Sequence, residues 1–224
     1  MMKQNVLVIA AHPDDELLGC GATVAQHVIN GDHVTSVIVC EGDSLRYNEA
    51  NTLHQSQIFK AAKVLGVSDV RSLQFPDQKL ETIVLTDIID RILEIVREVK
   101  PKIVYCQYGG DVNRDHKILF EAILVATRPT EEYIEAVYAF DTASSTEWGF
   151  PRSFVPDTYI DVSHTLETKI KAMSEYESEL RDYPHPRSLK ALRYKAYAHG
   201  NHCCLEAAEA FMTVRRVLRN GKLG

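Results

Sequence analysis

The sequence predicts an α/β fold of three layers, with a mostly parallel sheet flanked by helices and extended by a mixed C-terminal part. Three observations carry this. Short apolar runs alternate with helix-patterned segments at least four times before residue 130. The runs are continuously apolar rather than alternating, which marks strands buried on both faces. Each run ends in a polar cluster, and open α/β sheets collect ligands beyond the carboxyl ends of their strands.

Asn5 to Ala10 is the first run, and Glu16 to Asn30 reads as a helix stopped near Gly31. Val34 to Val39 is the second strand. Leu53 to Leu65 looks helical and closes at Gly66, and Val70 to Phe75 is the third strand. Leu85 to Val99 places Ile88, Ile89, Ile92, Leu93 and Val96 at helical spacing. Lys102 to Cys106 is the fourth strand, followed by a helix near His116 to Thr127. Repeated βαβ units of this kind form a Rossmann-like sheet. Gly19 and Gly21 would let the first helix pack closely on that sheet; their spacing is wrong for a dinucleotide-binding loop.

Beyond Thr130 the alternation weakens. Ala136 to Phe140 and Thr158 to Val162 read as strands, and Leu166 to Leu180 as a charged amphipathic helix. Pro184-His185-Pro186-Arg187-Ser188 is a rigid turn that opens another helix. No repeat or low-complexity linker interrupts the chain, so residues 1–224 are expected to form one domain. The helical C-terminal third offers a surface for a homo-oligomer. Arg215, Arg216 and Arg219 read as a solvated face or as carboxylate partners.

Composition excludes several classes. The net charge of -6 disfavours nucleic acid and anionic membranes as partners. No apolar stretch is long enough for a membrane span. The N-terminus meets charge too soon for a signal peptide. Five cysteines, odd in number and irregularly spaced, read as free thiols in a reducing, cytoplasmic setting.

The sharpest chemical signal is Ala11-His12-Pro13-Asp14-Asp15-Glu16 at the first strand-to-helix junction. His12 and Asp15 are three apart, so one turn of chain can aim both at a single cation. An imidazole and a carboxylate suit zinc, whose hydrolytic sites use three protein ligands and leave a place for water. Asp14 sits between them, able to face that water without ligating. The competing reading is a helix cap, because Asp is favoured at an N-cap. The second cluster, Gly109-Gly110-Asp111-Val112-Asn113-Arg114-Asp115-His116, follows the fourth strand. His116 could supply the third ligand, and Asp115 or Asp111 could hydrogen-bond a ligand imidazole and fix its tautomer. Here too helix capping competes.

Together these residues resemble the PIG-L family, also called LmbE-like, of zinc-dependent N-acetylglucosaminyl deacetylases. Its pattern is A-H-P-D-D-E after the first strand and H-x-D-H after a later one. His12, Asp14, Asp15 and Glu16 match the first segment, Asp115 and His116 the end of the second, and the order of elements agrees to about residue 130. The resemblance implies one Zn2+ per chain, held by His12, Asp15 and His116. It makes Asp14 the general base toward a water on the metal, with the acetyl group of an N-acetylglucosamine-type sugar or conjugate as target. The family often carries a histidine where this chain has Asn113, and an amide can donate a hydrogen bond but cannot deliver a proton. Either Asp14 then carries the proton both ways or another residue acts, and His185, with Arg187 beside it, is the candidate acid. By resemblance Arg46 could hold a sugar hydroxyl, the acetyl carbonyl or an anionic group. Asp77 and Arg187 complete the substrate-binding set, and Trp148 could stack on a sugar face. The alternatives are a deacylase for another acyl group such as formyl, a catalytically silent metal-binding subunit, and a nucleotide-binding module. The last conflicts with the absence of a Gly-rich loop after strand one.

Overall fold

The computed structural model describes residues 3–42 and 52–219. In chain order these give β1 (Asn5–Ala10), α1 (Asp15–Ile29), β2 (His33–Cys40), α2 (Thr52–Leu65) and β3 (Asp69–Phe75). Next come α3 (Leu85–Val99), β4 (Ile103–Gln107), α4 (Arg114–Ala126), β5 (Ala136–Phe140) and β6 (Thr158–Asp161). The chain ends with α5 (Leu166–Met173), α6 (Leu189–Asn201) and β7 (Ala208–Arg216), and 3-10 turns cover Leu80–Thr82 and Thr146–Trp148.

One sheet runs in the order β3-β2-β1-β4-β5-β7-β6. Neighbours from β3 through β5 pair parallel, while β7 is antiparallel to both β5 and β6. The continuous apolar run of β1 is explained by what lies on each side. Val6, Val8 and Ala10 join a core with residues of α1, α2, α5 and α6. Leu7 and Ile9 face the opposite core, with residues of α3 and α4. The three-layer, mostly parallel fold expected from the sequence is the fold observed. Strand order reverses direction between β1 and β4, and the crevice beyond their carboxyl ends is where such a sheet binds ligands. Both polar clusters singled out in the sequence emerge there.

Three expectations for the C-terminal third are corrected. The helix beginning at Leu166 stops at Met173 rather than Leu180. Tyr176 beyond it is fully buried and donates its hydroxyl to Glu16 Oε1 at 2.8 Å, so this stretch turns inward instead of continuing the helix. The second correction is β7, a nine-residue strand in a region read as helical. Arg215 of β7 and Arg219 find backbone carbonyls at the end of α4 and just after it, not carboxylates: Arg215 Nη2 donates to Thr127 O, and Arg219 Nε to Glu132 O at 2.9 Å. Cations are favoured at a helix C-terminus, where carbonyls lack partners.

Helix α1 is kinked at Cys20, whose φ of -136° and ψ of 21° are not helical. The freed backbone groups are satisfied by a buried ion pair. Lys169 Nζ donates to Leu18 O at 3.1 Å, and the Glu209 carboxylate accepts from Ala22 N at 3.1 Å and Thr23 N at 2.7 Å. Lys169 Nζ and Glu209 Oε1 meet at 2.6 Å. Gly19 lies against β5 so closely that a Cβ there would stand 2.0 Å from Phe140 Cδ2. Phe140 is fully buried. Gly19→Ala should therefore cost about 1–3 kcal/mol of stability, read from a urea unfolding midpoint. No helix among the described residues is long and apolar enough to cross a membrane.

Candidate metal centre and active site

Beyond β1, Ala11 N donates to Gln107 Oε1 at 2.8 Å, tying the junction to the end of β4. Asp14 then takes a left-handed backbone, φ 93°, which a non-glycine residue adopts only at a cost. Its side chain makes no capping hydrogen bond, so the helix-cap reading of this carboxylate does not hold. The strain instead accompanies a carboxylate that is 1% exposed and lines a cavity of about 410 Å³.

Three ligand atoms converge beside it. His12 Nδ1 is 3.2 Å from Asp15 Oδ2, His116 Nε2 is 3.2 Å from the same oxygen, and His116 Nε2 is 3.3 Å from His12 Nδ1. A tetrahedral ion with bonds of about 2.0–2.1 Å separates its ligand atoms by about 3.3–3.4 Å. The triangle therefore has the dimensions, and the two-imidazole, one-carboxylate donor set, of a cation site.

Each ligand is held from behind. His12 Nε2 donates to Asp115 Oδ2 at 3.0 Å, which leaves Nδ1 to face the triangle. Asp115 Oδ1 accepts from Leu80 N at 3.1 Å. His116 Nδ1 lies 3.2 Å from Asp111 Oδ2, and Asp111 is fixed by Ser145 Oγ, by Thr146 Oγ1 at 2.6 Å and by Asn113 N at 2.8 Å. Gln107 Nε2 donates to Asp15 Oδ2 at 2.6 Å. Such partners set tautomer and ring orientation. Asp115→Asn should weaken metal affinity by about 10- to 100-fold, measured by competition with a chelator. A second triad, His12, Cys40 and Asp115, would use the other ring nitrogen of His12, Nε2. Cys40 and Asp115 do not line the cavity, and burial pushes the Cys40 thiol up to about 11.

The charges agree with a cation site. Burial pulls the imidazoles of His12 and His116 down, but the carboxylates around them win and hold both above the ordinary value. Burial lifts Asp15, yet His116 and His12 bring it well below the usual carboxylate range. The triangle thus attracts positive charge. Asp14 goes the other way: burial raises it well above the carboxylate range, against the pull of Arg187.

The family model for the GlcNAc-PI de-N-acetylases, PIG-L, matches residues 7–127. The chain belongs to the PIG-L family. It is 28% identical over 182 residues to the uncharacterized deacetylase YaiS of Escherichia coli K12, covering 79% of this chain and 92% of YaiS. It is 24% identical over 189 residues to the diacetylchitobiose deacetylase of Thermococcus kodakarensis, covering 79% and 70%. The fold is also that of the N,N'-diacetylchitobiose deacetylase of Pyrococcus horikoshii, with a TM-score of 0.76, 18% identity and coverage of 94% and 84%. The family match and the curated relatives put the chain among the hydrolytic N-deacetylases.

Within this PIG-L chain, His12, Asp14, Asp77, Asn113, His116 and Arg187 all line the cavity. Asp77 Oδ1 lies 3.4 Å from His12 Nε2. Asn113 caps α4: its Oδ1 accepts from Asp115 N at 2.8 Å, which turns Nδ2 toward Gln78 Oε1, 3.2 Å away. Arg187 is engaged by the protein itself. Its Nη1 is 3.2 Å from Asp14 Oδ2 and 2.8 Å from Glu179 Oε2, and Nε donates to Ser144 Oγ at 2.8 Å. His185 is not among the residues lining the cavity. Its Nδ1 accepts from Arg187 N at 3.1 Å, and its ring meets the edge of Trp148, which does line it. Arg46 lies outside the described residues.

Sequence reasoning missed Gln107, Glu179 and His54. Gln107 follows Tyr105 on the same face of β4, so parity alone could have placed it beside the junction. His54 is buried in the cavity wall, its Nε2 3.3 Å from Glu179 Oε1. Neither His54 nor Glu179 carries a local motif.

Proposed function

We propose that the protein is a zinc-dependent hydrolase that removes the N-acetyl group from an N-acetylglucosamine-type amino sugar or its conjugate. The observation that carries this reading is the placement of Asp14. It is a buried carboxylate beside the His12–Asp15–His116 triangle, outside the ligand set, with an Oδ2 that accepts no aligned hydrogen bond. The names of the relatives, deacetylases of N-acetylated sugars, support the substrate class.

His12, Asp15 and His116 would hold the ion. When bound, zinc supplies Lewis acidity to the acetyl carbonyl and to the attacking water. Asp14 takes the proton from that water, and its burial makes it a stronger base than an exposed aspartate. Arg187, paired with both Asp14 and Glu179, orients the carboxylate. Asn113 offers its amide N–H to an oxygen of the acetyl group or sugar, because its Oδ1 is already committed to the helix. The leaving amine needs a proton. We assign its delivery to Asp14, which acquired one in the first step; His185, outside the cavity lining, packs on Trp148 and accepts from Arg187 N. Asp77, beside His12, would accept hydrogen bonds from sugar hydroxyls.

The test is product analysis on a panel of N-acetylglucosamine, its UDP conjugate, simple glycosides and their N-formyl counterparts. Acetate release from at least one N-acetyl sugar, faster than formate release from its counterpart, is the expected result. Formate release alone would move the assignment to another acyl group. Metal retention without release from any sugar would indicate a silent subunit.

A further inference from the structure

Two large apolar side chains that line the cavity stand in solvent, and a third follows two residues after one of them. Val112 is 53% exposed, Trp148 57% and Phe150 98%. Val112 and Trp148 line the cavity above His12, Asp14 and His116. Phe150 follows on the same loop as Trp148. That loop lies against the segment carrying Val112, since a Cβ on Gly149 would stand 2.9 Å from Gly110 O.

The exposure is built in rather than slack. Ser145 Oγ and Thr146 Oγ1 both donate to Asp111, which also stands beside His116. The Glu147 carboxylate accepts from Ser144 N at 2.7 Å and Ser145 N at 3.2 Å. His185 meets Trp148 edge-on, with ring centroids 6.3 Å apart. Single exposed apolar residues need no explanation, but a group of them beside a ligand cavity marks a contact surface. The cavity floor offers imidazoles, carboxylates and amides, which suit an acetamido group and hydroxyls. Val112 and Trp148 give one side of the opening an apolar surface, which suits a group that is not a sugar.

We propose that Val112, Trp148 and Phe150 form a subsite for an apolar aglycone, so that the substrate is an N-acetylated amino sugar bearing an aryl or alkyl group rather than the free sugar. This rests on the deacetylase reading above. A membrane surface is the poorer occupant, because a chain of net charge -6 is repelled by anionic lipid.

Trp148 is the only tryptophan, so its emission reports on this rim alone. The zinc-loaded full chain is titrated with phenyl 2-acetamido-2-deoxy-β-D-glucopyranoside and, separately, with N-acetylglucosamine. The phenyl glycoside should shift the emission saturably and bind roughly tenfold tighter than the free sugar, a difference of about 1.4 kcal/mol, with kcat/KM for acetate release higher by a similar factor. In the Val112→Ser/Phe150→Ser variant, which keeps the fluorophore, that preference should fall to about threefold or less. Emission unmoved by the phenyl glycoside, or equal affinity for both sugars in the wild type, overturns the proposal. So does a shift produced by phosphatidylcholine vesicles and not by the glycoside. A saturable shift without acetate from either sugar leaves the apolar subsite standing and rejects the deacetylase reading instead.

Discussion

Asp14→Asn should lower kcat by about 100- to 10,000-fold while the protein remains folded and keeps its metal. The amide fills the same space but cannot take a proton. Asp14 is outside the ligand triangle, so metal affinity should change little. The fold should survive because asparagine tolerates the left-handed backbone that Asp14 adopts. Arg187 would lose one carboxylate and retain Glu179. Asp15→Asn is the contrasting variant: it removes a ligand and should cost the metal as well as the rate. Initial rates of acetate release, metal content and circular dichroism on the three proteins separate the roles. Equal metal loss in both variants would remove Asp14 from the role of base.

Lys169→Met should destabilise the protein by about 3–5 kcal/mol, lowering Tm by roughly 6–20 °C. The side chains of Lys169 and Glu209 are 6% and 4% exposed. Removing the ammonium leaves a buried carboxylate without its counter-charge and Leu18 O without its donor. The carboxylate cannot simply be replaced as well, because it satisfies Ala22 N and Thr23 N at the kink of α1. Arg193→Met is the control. Its bridge to Glu167 has side chains 34% and 68% exposed, and such pairs contribute about 1 kcal/mol or less. Thermal unfolding of both variants compares them, and equal shifts would mean that burial does not set the cost.

The parallel half of the sheet was legible because burial on both faces leaves no freedom in composition. Val6 to Ala10 must be apolar throughout, and α3 was read with the bounds it has, Leu85–Val99. That the clusters at His12–Asp15 and Asp111–His116 meet was legible because strand ends fix their place. Strand β7 was not legible. The alternation of Ala208, Glu209 and Ala210 is broken by the apolar pair Phe211-Met212, and Glu209 is buried only because Lys169 and the α1 kink receive it. The supports of the site are equally non-local: Gln107 reaches Asp15 across 92 positions of sequence, and no spacing rule connects Arg187 to Asp14. Asn113 was read only against a histidine, whereas it caps α4 by accepting from Asp115 N. Tyr176 and Glu179 looked like one more turn of a charged helix because their partners, Glu16 and Arg187, lie on other elements.

On the proposed function, His12, Asp15 and His116 hold one metal ion on which amide hydrolysis depends. The direct test is the metal content of wild-type protein purified without chelator, with acetate release measured on the same sample before stripping, after stripping and after returning one equivalent of zinc. The expected result is about one zinc per chain, activity lost with the metal, and activity restored with it. A chain that neither carries nor takes up metal, or that releases acetate equally well when stripped, would contradict it.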